Sequence, residues 1–468
     1  MATRGEIVTM QRVSRTLLFL FLLTSALACL GITKVKIHGY VTARPNPDTL
    51  FILDDAIHIS SSTHFDLQNS NAAGAKPVTL AEISAGTLIE VEGKWSDRHQ
   101  FDAEKITCDA EQFERQIHGH AYLQTEPVEV EAISANQPAH LKADGELLVF
   151  DEKTKRKWRI DKSSDAQQTS SVPETAPQFV GDEVRYTGVR ATDGNIELEQ
   201  IELGERPPAS AYRIPGDRKI IRASDPQTSI DVLEIRKGDK LEGRLKLFEV
   251  KDVQDYVKEL GVKLLPPASE VTARSLEFRF YVVEDPSINA AALPDGTVLV
   301  NTGLLGAVEN ESQLALVLSH EIAHVLQAHH WRETKDTRAA RVMIIIGAVA
   351  SSYFIRDLGL FLGQLGMEAV VNGYSRRIEN QADRLGLQNI IDRGYDPRSA
   401  VRFFHIMVDK YGRSSSAIWS NHDSNLMRGS FLTVQLGMQY PTGQFDHAII
   451  DTAAFKKMKE TMGPVKIM

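Results

Sequence analysis

The pentapeptide His320-Glu321-Ile322-Ala323-His324 restricts this chain more than any other stretch. Two histidines four residues apart share a face only in an α-helix, where they lie one turn from each other. The neighbouring residues suit a helix. Asn310 offers an N-cap with Gln313 three residues on, as in a capping box. Leu314, Leu318, Ile322 and Val325 form an apolar stripe. The spacing predicts a helix from Asn310 to about His330, with the histidine pair on a different face from the stripe. Imidazoles so placed can both reach one zinc ion at about 2.0–2.1 Å. Glu321 points beside such an ion, where it can take a proton from an attacking water. With 14 histidines in 468 residues, chance gives roughly 0.03 matches to H-E-x-x-H in a chain of this length. His329 and His330 follow on the same predicted helix and read as solvated or supporting groups rather than ligands.

A catalytic zinc with two histidine ligands takes a third protein ligand and keeps a position open for water. The candidates lie in Tyr374-Ser375-Arg376-Arg377-Ile378-Glu379-Asn380-Gln381-Ala382-Asp383. Glu379 and Asp383 are four apart in a segment that reads as helix, so both carboxylates share a face. One can bind the metal while the other accepts a hydrogen bond from a ligand histidine's second nitrogen. Ala382 permits close approach of this helix. Cys29 and Cys108 are too few for a disulfide framework or a cysteine-built zinc site, so chemistry falls to imidazole, carboxylate and hydroxyl groups.

The chain ahead of this region reads differently. Arg12 and Arg15 precede the apolar run Leu17 to Leu23, and Thr24-Ser25-Ala26-Leu27-Ala28 follows. That pattern predicts a signal peptide over 1–28 and an exported protein. An uncleaved membrane anchor and lipid attachment at Cys29 are the alternatives, although Ala26 stands where lipoproteins usually carry Leu. Residues 29–115 and 116–205 alternate apolar and polar positions as strands do. Ile37-His38-Gly39 recurs as Ile117-His118-Gly119, and Gly86 to Gly93 has a counterpart in Gly181 to Gly188. Two small β-barrel-like modules are expected, their histidines on strand surfaces. Residues 206–245 read as linker and lead-in, and 246–468 as a mainly helical α+β domain. There Val250 to Leu265 is amphipathic through positions 253, 256, 257, 260 and 264, and strands are expected at Phe278 to Val283 and Thr297 to Asn301. The apolar runs Val342 to Ala350 and Leu358 to Val371 are interrupted by Arg356-Asp357 and are each short of a membrane span. With 53 basic and 62 acidic residues the net charge is −9, which argues against nucleic acid as a partner.

From about 248 to 430 the chain resembles the M48 family of zinc metallopeptidases, which includes bacterial periplasmic quality-control proteases and membrane-bound CAAX-type enzymes. Three blocks carry the resemblance: Asn289-Ala290 with Pro294-Asp295-Gly296 through Leu305; the His320 to His329 stretch; and Tyr374-Ser375-Arg376 followed by Glu379-x-x-Ala382-Asp383. It implies a zincin-like (gluzincin) peptidase domain binding one zinc ion per chain through His320, His324 and Glu379. It further implies Glu321 as catalytic base, Asp383 as the group orienting a ligand histidine, and polypeptides as substrates. By the same analogy Thr297, Val298, Leu299, Val300 and Asn301 form an edge strand on which an extended substrate pairs.

The resemblance has departures. Members commonly carry His-Pro followed by Arg-Ile near the end of the catalytic region; this chain has Asn421-His422-Asp423 and Met427-Arg428-Gly429. His422 and Arg428 are the candidates for touching the tetrahedral oxyanion or for an ion pair near the site. The competing expectations are a non-catalytic zinc-containing envelope chaperone or scaffold, and a ligand-binding protein acting through its β modules. An intact Glu321 favours the hydrolase, since a structural metal site needs no base beside it.

Overall fold

The computed structural model describes residues 34–68, 79–109, 116–122, 139–143, 146–150, 153–157, 183–191, 195–203, 207–266, 276–337, 357–365, 374–411, 424–440, 444–465 and 467. The expected signal peptide, Cys29, His422 and the run 342–350 lie outside these residues.

Seven strands form the first sheet: β1 (Val35–Tyr40), β2 (Ala43–Asn46), β3 (Thr49–Ile52), β4 (Asp55–His58), β5 (His64–Gln68), β6 (Leu88–Asp97) and β7 (Gln100–Asp109). Their order is β1-β6-β7-β4-β3-β2, with β5 also on β7. Alternation decides which side chains turn inward: Ile89 and Val91 on β6 are buried against Ile37, Leu50, Ile52, Ile57, Phe101 and Ile106, whereas His38 is exposed. The second sheet comprises β8 (Gln116–Tyr122), β9 (Ala139–Ala143), β10 (Glu146–Phe150), β11 (Lys155–Lys157), β12 (Glu183–Arg190) and β13 (Ile196–Leu203), ordered β8-β12-β13-β10-β9 with β11 on β13.

The two sheets repeat one plan. In each, an opening strand pairs antiparallel with the first strand of a hairpin, and the hairpin's second strand takes two parallel neighbours. The register slips at Gly93 in one and at Gly188 in the other. Both glycines are required sterically, because a Cβ would lie 2.1 Å from the Asp102 carbonyl oxygen and 2.4 Å from that of Glu197. Barrel closure is not seen among the described residues. The strands at the two ends of each sheet, β1 and β2 or β8 and β9, do not pair.

The expected lead-in carries its own sheet, β14 (Arg218–Ser224), β15 (Asp231–Lys237) and β16 (Lys240–Lys246). Ile220, Leu233, Ile235 and Leu245 from it pack into the following domain. That domain starts with α1 (Lys251–Lys263), whose Val253, Val257 and Leu260 are buried as the amphipathic pattern requires. Next come β17 (Arg279–Val283), β18 (Ala290–Ala292), β19 (Thr297–Asn301) and α2 (Thr302–Ala307). The helices α3 (Glu311–Leu326), α4 (His329–Thr337), α5 (Asp357–Gln364), α6 (Arg376–Asp392), α7 (Pro397–Tyr411), α8 (Asn425–Gln439) and α9 (Ala453–Met462) complete it. Among the described residues no helix is long and apolar enough to cross a membrane.

Two expectations need correction. β19 is not an edge strand. It is the middle strand of β17-β19-β18, parallel to β17 and antiparallel to β18, so both its edges are taken. Val298 and Val300 face the helical core and Leu299 faces the β14–β16 side, which leaves all five residues buried. A substrate therefore cannot pair along 297–301. The metal-site helix is also shorter than predicted. Asn310 caps it as expected, its side chain accepting from the Gln313 N–H at 3.1 Å. It stops at Leu326; Ala328 takes a left-handed φ of 50°, and α4 begins at His329.

Candidate metal centre

Helix α3 presents the two histidines and Glu321 from within the core, all three buried. Burial comes from both sides of the helix: Leu314, Leu318, Ile322 and Val325 fill the hydrophobic cluster, while α6 crosses the polar face. Gly386 sets that approach. A Cβ there would come within 3.1 Å of the His320 backbone nitrogen, closer than a packed helix pair readily tolerates. Ala382, one turn earlier, is fully buried. Asn389 ties the helices together by donating to the Ser319 hydroxyl at 2.9 Å, beside His320.

The crossing brings Glu379 to the histidine pair. The two Nε2 atoms are 3.0 Å apart, and the Glu379 carboxylate oxygens lie 3.6 Å from His320 Nε2 and 3.7 Å from His324 Nε2. Donors at about 2.0–2.1 Å from a tetrahedral zinc are separated by roughly 3.3 Å. The spread of 3.0 to 3.7 Å brackets that value.

Hydrogen bonding fixes which imidazole nitrogen faces inward. His320 Nδ1–H donates to Asp383 Oδ1 at 2.8 Å, leaving a lone pair on Nε2. Arg428 grips the same carboxylate with two prongs, Nε on Oδ2 at 3.0 Å and Nη2 on Oδ1 at 2.6 Å. Its guanidinium also lies 4.8 Å from the centre of the Phe404 ring. Burial disfavours the Arg428 cation, but the facing Asp383 carboxylate outweighs this and holds its pKa above the ordinary guanidinium value. The other histidine is set by a different chain. Gln381 Oε1 accepts from His329 Nε2–H at 3.1 Å, so His329 Nδ1 accepts from His324 Nδ1–H at 2.9 Å. Burial first, and then nearby Arg332, lowers the His329 pKa to about 3, which keeps this link neutral. The Tyr374 ring stacks on His324 with centroids 4.4 Å apart; burial, and the negative charges of Glu321, Glu379 and Glu333, hold its phenol protonated.

Two lone pairs and a carboxylate thus converge in a buried space, an arrangement that repels itself unless a cation lies among its members. The donor set fits a zinc ion by type, number and separation. The expected ligands and Asp383 come together. Arg428 reaches the site as Asp383's ion-pair partner, one of the two roles foreseen for it. His329, read as solvated or supporting, is fully buried beside His324, whereas His330 is half-buried. Gln381, Gly386 and the stacking of Tyr374 had no sequence signal of their own, because each depends on α6 crossing α3.

A helix carrying H-E-x-x-H, a glutamate from a second helix and a small mixed sheet beside them are the parts expected of a metallopeptidase domain. Residues 251–436 match peptidase family M48. The chain is 30% identical over 196 residues to the Beta-barrel assembly-enhancing protease of Escherichia coli (strain K12), covering 39% of each protein. It is 29% identical over 208 residues to Mitochondrial metalloendopeptidase OMA1 of Schizosaccharomyces pombe, covering 39% of this chain and 59% of that one. With Metalloendopeptidase OMA1, mitochondrial, of Bos taurus it shares 34% identity over 211 residues, 43% of this chain and 39% of the relative. The chain thus spans between 39% and 59% of the length of these curated relatives. Residues 38–107, within the first sheet, match a domain of unknown function, DUF5666.

Proposed function

We propose that this chain is a zinc-dependent metalloendopeptidase that hydrolyses peptide bonds of envelope proteins in protein quality control, exported to the bacterial periplasm or cell envelope. The convergence of His320, His324 and Glu379 with Glu321 alongside carries the reading. The export-type pattern of residues 1–28 and the likeness to a bacterial assembly-enhancing protease support the location and substrate class. Attachment to the membrane through Cys29 or an uncleaved leader belongs to the same proposal.

His320, His324 and Glu379 would hold one zinc ion. When bound, zinc supplies a Lewis acid that polarises the scissile carbonyl and steadies the charge developing on its oxygen. Glu321 takes the proton from the attacking water and delivers it to the leaving amine. Asp383, held by Arg428, and His329, held by Gln381, keep both imidazoles in the tautomer whose Nε2 is free to bind.

The test is cleavage of an unfolded casein by the purified full chain, with and without a zinc chelator, beside Glu321→Gln. The variant should retain one zinc per chain and lose about 10²–10⁴ in rate, the usual contribution of a positioned base. Cleavage by Glu321→Gln at the wild-type rate removes Glu321 as the base.

A further inference from the structure

The domain of unknown function is packed against the catalytic helices. Helix α8 carries Arg428, and the residues flanking that arginine belong to the interface with the first β sheet. Leu426, on α8, and Val408, on α7, are members of the β module's own hydrophobic core, with Ile37, Leu50, Ile52 and Leu53. At Gly429 the helix backbone comes so close that a Cβ would meet Leu53 Cδ1 at 2.9 Å and Phe404 Cβ at 2.7 Å. Ser430 Oγ accepts from the Tyr40 backbone N–H at 3.0 Å while donating to the Met427 carbonyl at 2.9 Å. Opposite it, a Cβ on Gly39 would lie 3.3 Å from that same Oγ. Asn380, the residue after Glu379, donates to the Tyr40 hydroxyl at 3.3 Å, and the Tyr40 ring packs against Phe431 at 5.6 Å. Polar groups close the rim: His405 donates to Asp54 at 2.8 Å, and His99 stands between Asp55 at 3.0 Å and Asp409 at 3.3 Å.

We propose that this β module is part of the catalytic apparatus: it fixes α8, and through the Arg428–Asp383 pair fixes His320, so that Tyr40 and Ser430 are positioning residues for the metal centre. The inference rests on the peptidase reading above. An apolar centre shared between two units, glycines that let backbones touch and a satisfied polar clamp are features of a permanent interface. A module that only recruits substrate would have no need to bury its core on the helix holding Arg428. Tyr40 touches both sides of the site, α8 through its amide and ring and α6 through its hydroxyl. Partners of metal ligands typically cost 10–100-fold when lost, and groups one layer further out act through the same geometry more weakly.

The experiment uses the full chain with Tyr40→Phe, which keeps the ring but loses the acceptor for Asn380, and Ser430→Ala, which loses the acceptor for the Tyr40 amide. Two quantities are measured: zinc affinity by competition with a chromophoric chelator, and the kcat and KM of casein cleavage. The expected result is zinc affinity weakened roughly 3- to 10-fold and kcat lowered about 10-fold with KM unchanged. A raised KM with unchanged kcat and zinc affinity would make the module a substrate recruiter and overturn the proposal. No change in any of the three would reduce the interface to scaffolding and overturn it as well. Tyr40→Phe is near-isosteric, so its result stands if Ser430→Ala fails to fold. A wild-type chain that binds zinc but cleaves nothing would sink the peptidase reading alone, since the affinity comparison still tests the positioning role.

Discussion

Replacing Arg428 by Met isolates the strongest electrostatic contact of the site. Guanidinium and carboxylate are both buried, and Arg428 covers both oxygens of Asp383 at 2.6 and 3.0 Å. Methionine fills much of the same volume without charge, leaving Asp383 in the core with His320 Nδ1–H facing it. Removing one partner of a buried ion pair costs about 3–5 kcal/mol, a large share of the ~5–15 kcal/mol that holds an ordinary domain folded. The freed carboxylate also orients His320 less firmly, so zinc affinity should fall about 10–100-fold, or roughly 1.4–2.7 kcal/mol. Arg428→Lys keeps the charge but not the two-pronged grip and should fall between wild type and Arg428→Met. Because several modules share the chain, native-state hydrogen exchange at α3 and α8 amides is the suitable assay, combined with a zinc competition titration. The double variant Arg428→Met with Asp383→Asn should recover part of the loss, since no unpaired charge remains. A cost below about 1 kcal/mol for Arg428→Met, or strict additivity in the double variant, would refute the reasoning.

His329→Ala removes the acceptor that fixes the His324 tautomer; zinc affinity should drop about tenfold in a competition titration, while α3 stays folded by circular dichroism. Asp396→Ala probes the start of α7, where Asp396 Oδ1 accepts from the Arg398 N–H at 2.8 Å and the Ser399 N–H at 3.3 Å. Its loss should cost about 1 kcal/mol in urea unfolding at pH 7. Burial raises the Asp396 carboxyl, but Arg398 and the two amides outweigh it and hold its pKa below the ordinary value. The contribution is therefore complete above the unfolded carboxylate range and fades as pH falls through the folded pKa. The gap between wild type and variant should narrow correspondingly in acid.

The parts of the site that the sequence announces are those whose geometry is local. His320, His324 and the Asn310 cap follow from one helix, as does the shared face of Glu379 and Asp383 from another. The β repeat is legible for the same reason, since Gly93 and Gly188 each answer a steric demand of their own hairpin. Errors arise where neighbours come from far along the chain. The run Thr297-Val298-Leu299-Val300-Asn301 is apolar without alternation, which suits a strand covered on both faces; its place in the sheet depends on β17 and β18, drawn from 279–292. The stop at Leu326 breaks a stretch of good helix formers, and the left-handed Ala328 starts a new helix at His329, which is buried against His324 and Gln381. Open sheet order is equally non-local, and hairpin patterns alone do not distinguish it from a barrel.

The two imidazoles are supported unequally, and formal charge supplies the reason. Next to the imidazoles, Glu321, Glu379 and Asp383 are buried carboxylates and Arg428 is the guanidinium that pairs with one of them, while buried Arg332 and Glu333 stand further out beside His329 and Tyr374. A divalent ion balances the remaining two negative charges. A carboxylate behind His324, matching Asp383 behind His320, would leave the loaded site anionic in a medium that solvates charge poorly; the neutral His329–Gln381 chain orients the ring without that penalty. On the proposed mechanism, Glu321 is the group whose charge serves cleavage rather than stability. Like charges buried close together repel more strongly than they do in water, so even partial relief is measurable. Glu321→Gln should therefore slow hydrogen exchange in α3 relative to wild type when both are held in chelator, and the advantage should shrink once zinc is supplied in excess. If the chelated variant exchanges as fast as wild type or faster, the three carboxylates are not in electrostatic conflict, and the neutral link behind His324 needs another cause.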